Sequence, residues 1–264
     1  MKQRIITGLL AGAVFVVLTV IGGWAYYVLL LLLALIGFRE YARMNGFAPQ
    51  HPASLLGYAG MLFFLFPWDL LQVERPSGSD MLWLLMLLLL ALSVLTKNRT
   101  TIDGAALMLL GSLYLGYGFN AMMLVRDSDP QGLFWTTLSF GSIWASDIGA
   151  YFIGRAFGRI KLWPAISPNK TVEGSIGGVA VSLVVALLFS VFSPGWVSVG
   201  QALLIGLTAA VAGQFGDLIQ SAYKRVRGIK DTGTLLPGHG GVLDRCDSWL
   251  IVFPLLVLTG LVPV

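Results

Sequence analysis

Residues 5–36 carry no charged side chain over 32 consecutive positions, and this run limits what the chain can fold into. As one helix it would measure about 48 Å at roughly 1.5 Å per residue. That is too long for a bilayer core of about 30 Å. Gly22-Gly23 lies near its middle and offers a tight turn, so two short spans are expected in place of one. Lys2 and Arg4 precede the run and Arg39 and Arg43 follow it, which puts both ends on the same side. Comparable apolar runs recur through the chain. They are continuous and do not alternate, which excludes a transmembrane barrel. Only 11% of the side chains are charged, against about 25% in soluble domains. The expected fold is an all-α polytopic membrane protein of about nine transmembrane helices, with no room for a soluble domain beside them.

The apolar run after Lys2 and Arg4 resembles a secretory signal, but no small-x-small cleavage site precedes Trp24. It is read as an uncleaved first span. With the N-terminus in the cytoplasm, 15 of the 17 lysines and arginines fall on the cytoplasmic side, leaving only Arg75 and Arg126 opposite. So strong a bias supports that orientation and places the C-terminus outside. Residues 1–125 then form an N-terminal group of about five spans. Residues 126–264 form a C-terminal group with two polar cytoplasmic loops, 155–173 and 223–246. The single cysteine, Cys246, excludes an intrachain disulfide.

Charge and glycine concentrate between Asp217 and Asp247. These 31 positions hold nine of the charged residues: Asp217, Lys224, Arg225, Arg227, Lys230, Asp231, Asp244, Arg245 and Asp247. Gln214, Asp217, Ser221 and Lys224 recur at helical spacing, within roughly 60° of one face, with Arg225 at its edge. A carboxylate inside a membrane helix faces a partner or a water-filled cavity and marks a functional site by default. Downstream, Pro237-Gly238-His239-Gly240-Gly241 lets backbone N–H groups approach a ligand closely. A helix is expected to begin near Asp244, with Asp244 and Asp247 on one face of its first turn. Asp244 could simply cap that helix, but this leaves Asp217, Asp231 and Asp247 unexplained. Carboxylates beside a basic, glycine-rich loop suit Mg²⁺ and a polyphosphate, because Mg²⁺ takes one or two carboxylates plus phosphate oxygens. Lys224, Arg225 and Lys230 would hold phosphates. His239 is open between phosphate ligand, acid–base group and turn residue.

A third cluster runs from Ser146-Asp147 through Tyr151, Arg155 and Arg159 to Lys170 and Glu173. Asp147 lies within a span. Lys170 and Glu173 sit at a helix start, and Gly174, Gly177 and Gly178 let that helix pack closely. Arg155 and Arg159 fit equally well as ordinary cytoplasmic-side residues. Neither G-x-x-x-x-G-K-[ST] nor G-x-G-x-x-G after a strand is present, so any nucleotide must bind on a membrane scaffold.

The pattern Ser221-x-x-Lys224-Arg225, then Lys230-Asp231, then Pro237-Gly238-His239-Gly240-Gly241-x-x-Asp244-Arg245-x-Asp247 resembles the signature of the phosphatidate cytidylyltransferases. Asp147-Ile148-Gly149-Ala150-Tyr151 and Ser167-Pro168-x-Lys170-Thr171-x-Glu173-Gly174 are similar to that family's second block. Cys246 is the one departure, at a position where an aliphatic residue or threonine is expected. The resemblance covers the C-terminal half; the N-terminal spans match only in hydropathy.

It implies that CTP and phosphatidic acid are converted to CDP-diacylglycerol and pyrophosphate with Mg²⁺, the number of ions being open. It further implies a homodimer in a bacterial-type cytoplasmic membrane, with the active site on the cytoplasmic face and no nucleic acid partner. On this reading Asp217 and Asp244 hold the metal, Asp147, Asp231 and Asp247 supply ligands or orient waters, and Lys224 and Arg225 act on the triphosphate. Arg155, Lys170, Glu173, Ser221, Lys230, His239, Gly240, Gly241 and Arg245 line the substrates. An ion-coupled transporter using Asp147 and Asp217 is the rival class, but it needs no basic glycine-rich loop. A CDP-alcohol phosphotransferase would need a D-x-x-D-G-x-x-A-R pattern, which is absent from the chain.

Overall fold

The computed structural model describes residues 2–68, 71–193, 195–233 and 240–264, with side chains from residue 8 onward. The chain is mostly helical. Its elements are α1 (Lys2–Ile21), α2 (Gly23–Met44), α3 (Pro52–Leu65), α4 (Gly78–Leu95), α5 (Ile102–Asp127), α6 (Gly132–Phe157), β1 (Lys161–Trp163), β2 (Ser167–Thr171), α7 (Val172–Phe192), α8 (Val199–Val226), α9 (Leu243–Cys246) and α10 (Trp249–Leu258). Among the described residues five helices, α2, α4, α5, α7 and α8, are long and apolar enough to cross a bilayer, and the chain is a multi-pass membrane protein. Apolar residues on the outside of these helices fit that setting. In α4 only Leu85, Leu89 and Ser93 are buried, while Trp83, Leu87, Leu88 and Val94 are exposed.

The break in the first apolar run falls at Gly22, where α1 ends and α2 begins. Gly22 and Gly23 have φ of 72° and 50°, values that glycine adopts without a Cβ clash. The second helix does not stop where the apolar run does. It continues through Arg39, Glu40 and Arg43 to Met44, and Glu40 is buried.

The chain divides into two compact units, Met1–Met123 with Asp231–Leu243, and Leu124–Lys230 with Asp244–Val264. In the first, large side chains fill notches left by glycines. Phe38 packs on Gly57, Leu85 on Gly60 and Tyr41 on Gly111. Polar groups are satisfied across helices: the Tyr41 hydroxyl donates to the Leu107 carbonyl at 2.9 Å, and the Ser112 hydroxyl to the Gly57 carbonyl at 2.8 Å.

The second unit is built on α6, α7, α8 and α10. Small residues set how closely α6 and α7 approach. A Cβ on Gly174 would come within 2.8 Å of the Ala150 carbonyl oxygen, and one on Gly178 within 2.7 Å of the Ser146 carbonyl oxygen. Close backbone approach of this kind is how helices associate in lipid, where burying apolar surface gives no advantage. The Ser182 hydroxyl lies 3.0 Å from the Ser142 carbonyl of α6 and 2.9 Å from the Gly206 carbonyl of α8. Phe140 packs against Trp249 and Phe253, joining α6 to the α10 segment.

The all-helical expectation needs one addition. The 155–173 loop folds into an antiparallel hairpin in which Lys161 pairs with Thr171 and Trp163 with Ser167. Its base is fixed by the Glu173 carboxylate, which accepts the Ile160 N–H at 3.2 Å, and by the Val172 N–H, which donates to the Ile160 carbonyl at 2.9 Å. Thr171 ends β2 and caps α7, its hydroxyl accepting the Gly174 N–H at 3.2 Å.

Candidate active site

Helix α8 positions the site in the second unit. Its polar stripe engages a different partner at each turn. The Gln214 side-chain amide donates to the Ser146 hydroxyl at 3.3 Å and to the Ser175 carbonyl at 3.1 Å, and its oxygen accepts from the Ser175 hydroxyl. One residue therefore ties α8 to both α6 and α7. A turn later Asp217 lies 2.7 Å from Lys170, which the hairpin delivers, and accepts the Ser221 hydroxyl at 3.1 Å. At the end of the helix Lys224 lies 2.7 Å from Asp244. Arg225 donates to the Ile166 carbonyl at 3.2 Å, which fastens the hairpin tip to the same helix end.

A helix does begin near Asp244, as expected, but it is too short to carry Asp247 on its first turn. α9 ends at Cys246, Asp247 and Ser248 form a turn, and α10 begins at Trp249. Asp244 lies inside α9, one residue after its start, and does not occupy the cap position. Asp247 turns its own carboxylate onto the Ser248 N–H at 2.8 Å, and the Ser248 hydroxyl reaches the Gly213 carbonyl at 3.0 Å. The turn rests on Gly216, where an added Cβ would come within 2.5 Å of the Asp247 carbonyl oxygen and 3.0 Å of the Ser248 Cα. Both obstacles are backbone. Gly216→Ala is expected to lower stability by about 1–3 kcal/mol, the range for overpacking, and to displace Asp247. Gly213→Ala, whose Cβ would find the Ser248 and Val252 side chains nearest, at 3.6 Å, should be tolerated. Thermal unfolding of the two purified variants makes the comparison, and equal midpoints would show that the turn can yield.

Three carboxylates from three elements interact at this place. The Asp217 charge acts on both Asp147 and Asp247, and Asp147 acts on Asp247. Lys170 offsets the charge at Asp147 and Lys224 that at Asp247. With Asp244, four carboxylates and two lysines gather here. Among the described residues no three carboxylate, imidazole or thiol groups stand close enough to ligate one ion by themselves. The donor set still fits Mg²⁺, which usually takes one or two carboxylates and completes its shell with water and substrate phosphates.

The other sequence candidates are placed differently. Glu173 serves the hairpin base. Arg155 is exposed and donates to the Tyr151 hydroxyl at 3.2 Å. Lys230 and Arg245 are exposed in the second unit. Asp231, Gly240 and Gly241 belong to the first unit, where Asp231 is exposed and Gly241 buried. His239 lies outside the described residues. Sequence reasoning missed Glu40, a buried carboxylate of the first unit that accepts three hydrogen bonds from residues 232–243. An acidic residue at the end of an apolar run, between Arg39 and Arg43, was the available signal.

The carboxylates and lysines thus gather along the bilayer-length helix α8 and on the segments packed against it. The model of the cytidylyltransferase family matches residues 2–262, and the chain belongs to that family of nucleotidyltransferases. Similar proteins named phosphatidate cytidylyltransferase occur in Bacillus subtilis (39% identity over 97% of this chain and 96% of the relative) and Staphylococcus saprophyticus (38%, 97% of each). Another, from Staphylococcus aureus, is 37% identical over 97% of each chain.

Proposed function

We propose that the chain transfers the cytidylyl group of CTP to phosphatidic acid, forming CDP-diacylglycerol and pyrophosphate for phospholipid synthesis. A phosphatidate oxygen attacks the α-phosphorus of CTP in line, a new P–O bond forms, and the bond to the departing pyrophosphate breaks. Transfers of this kind depend on positioning and electrostatics more than on covalent catalysis. The observation that carries the reading is the pair of lysines, Lys170 and Lys224, each 2.7 Å from a carboxylate in one cluster. The names of the relatives supply the substrates.

Asp217 and Asp244 would hold Mg²⁺, with Asp147 and Asp247 beside Asp217 orienting waters or joining the shell; the ion supplies charge compensation for the triphosphate. Lys224 and Arg225 bind phosphate oxygens, as does Lys170 when it leaves Asp217. Ser221 keeps Asp217 oriented. Asp231, Lys230, Arg245, Gly240, Gly241 and His239 complete the nucleotide side, with Arg155 and Glu173 supporting the hairpin. The remaining assignments belong to the same reading: nine spans, N-terminus and active site on the cytoplasmic face of a bacterial inner membrane, C-terminus outside, and a homodimer. In it, residues 1–125 serve as scaffold, dimer face or lipid access and residues 126–264 as the catalytic part.

The test is incubation of purified protein with labelled CTP, phosphatidic acid and Mg²⁺, with dCTP, ATP and UTP as competitors. CDP-diacylglycerol should form, chelation with EDTA should abolish it, and added Mg²⁺ should restore it. Full activity in EDTA would refute the metal assignment, and no product under any condition would refute the reaction.

A further inference from the structure

Glu40 is only 6% exposed in α2. Its carboxylate accepts the Val242 N–H on Oε1 at 3.0 Å, and the Leu243 N–H and the Thr232 hydroxyl on Oε2 at 3.0 Å each. Two glycines make room for it: a Cβ on Gly233 or on Gly241 would collide with the carboxylate. The two described ends of the 231–243 segment, Thr232-Gly233 and Gly241-Val242-Leu243, therefore converge on one side chain between 192 and 203 residues away in sequence. A buried carboxylate is costly unless hydrogen bonds satisfy it, and here all three donors come from this segment. Backbone N–H groups donating to an ionised acceptor make stronger bonds than neutral pairs do.

We propose that Glu40 is a positioning residue for the nucleotide: it fixes Thr232-Gly233 and Gly241-Val242-Leu243 and so sets the backbone at Gly240 and Gly241, which the reading above assigns to the nucleotide. This rests on the cytidylyltransferase reading above. Glu40 touches no reacting atom in this scheme. Replacement by glutamine puts an NH₂ where Oε2 accepts the Leu243 N–H, opposing two donors. Aspartate keeps the charge one methylene short. The effects should therefore rank Ala above Gln above Asp.

The experiment measures two quantities on full-length protein in detergent. Hydrogen exchange of the peptide covering 240–243 should accelerate about tenfold or more in Glu40→Ala as local protection is lost. The KM for CTP should rise about tenfold or more, the scale of a misplaced binding group, while the KM for phosphatidic acid stays within about twofold. Glu40→Asp should recover part of both. If Glu40→Ala does not fold, Thr232→Val, which removes one of the three bonds, should move both readouts the same way by a smaller amount. Unchanged exchange would overturn the clamp. Faster exchange with both KM values unchanged, or raised together, would show a purely structural role. A wild-type protein that makes no CDP-diacylglycerol while Glu40→Ala still accelerates exchange would indict the functional reading and leave the clamp intact.

Discussion

Asp217→Asn is expected to reduce CDP-diacylglycerol formation by about 10³-fold, the loss seen when a preorganised electrostatic group is removed from an active site. The substitution preserves shape and can still accept the Ser221 hydroxyl, so it removes charge and little else. That charge is the one acting on both Asp147 and Asp247, and it holds Lys170 at 2.7 Å. Stability should change by no more than about 1 kcal/mol, because Lys170 and Asp217 are 26% and 41% exposed and such pairs contribute little. The informative result is therefore a folded protein with almost no turnover. A variant that melts like wild type and retains most of its rate would remove Asp217 from the chemistry.

Lys224→Met should act on stability as well as rate. Lys224 and Asp244 are 16% and 6% exposed, so this pair is shielded where the Lys170 pair is not. Removing the lysine takes away the cation 2.7 Å from Asp244. The expected cost is about 3 kcal/mol, at the lower end for breaking a buried pair. Combining it with Asp244→Leu should restore much of the lost stability, since apolar replacement of both partners is often neutral, while activity stays absent. Thermal unfolding in detergent reads the first effect and product formation the second. A single variant as stable as wild type would mean that the pair contributes nothing to the fold.

The sequence made some of this legible and hid the rest for identifiable reasons. Gly22 as a helix break follows from an apolar run too long for a bilayer and a glycine pair at its centre. The α8 stripe follows from helical spacing, and Gln214, Asp217, Ser221 and Lys224 each find a polar partner. The hairpin was not legible. Ser167-Pro168-Asn169-Lys170-Thr171 has little strand character, and what holds it is the Glu173 carboxylate at one end and Arg225 at the other. The turn at Asp247 was hidden for a similar reason, because Gly216 and Gly213 of another helix provide its seat. Glu40 was the hardest to see, because its donors lie near the far end of the chain.

The two lysine–aspartate pairs also bear on what the site does between turnovers. A lysine already 2.7 Å from its own carboxylate gains little by exchanging it for a stray monoanion from solution. An arriving ligand displaces these internal counterions only if it brings several charges to the lysines and, at the same time, a cation for the carboxylates. On the proposed function, phosphate or a metal ion alone would then be a poor match for the resting site, and the two lysine–aspartate pairs would re-form once pyrophosphate has left.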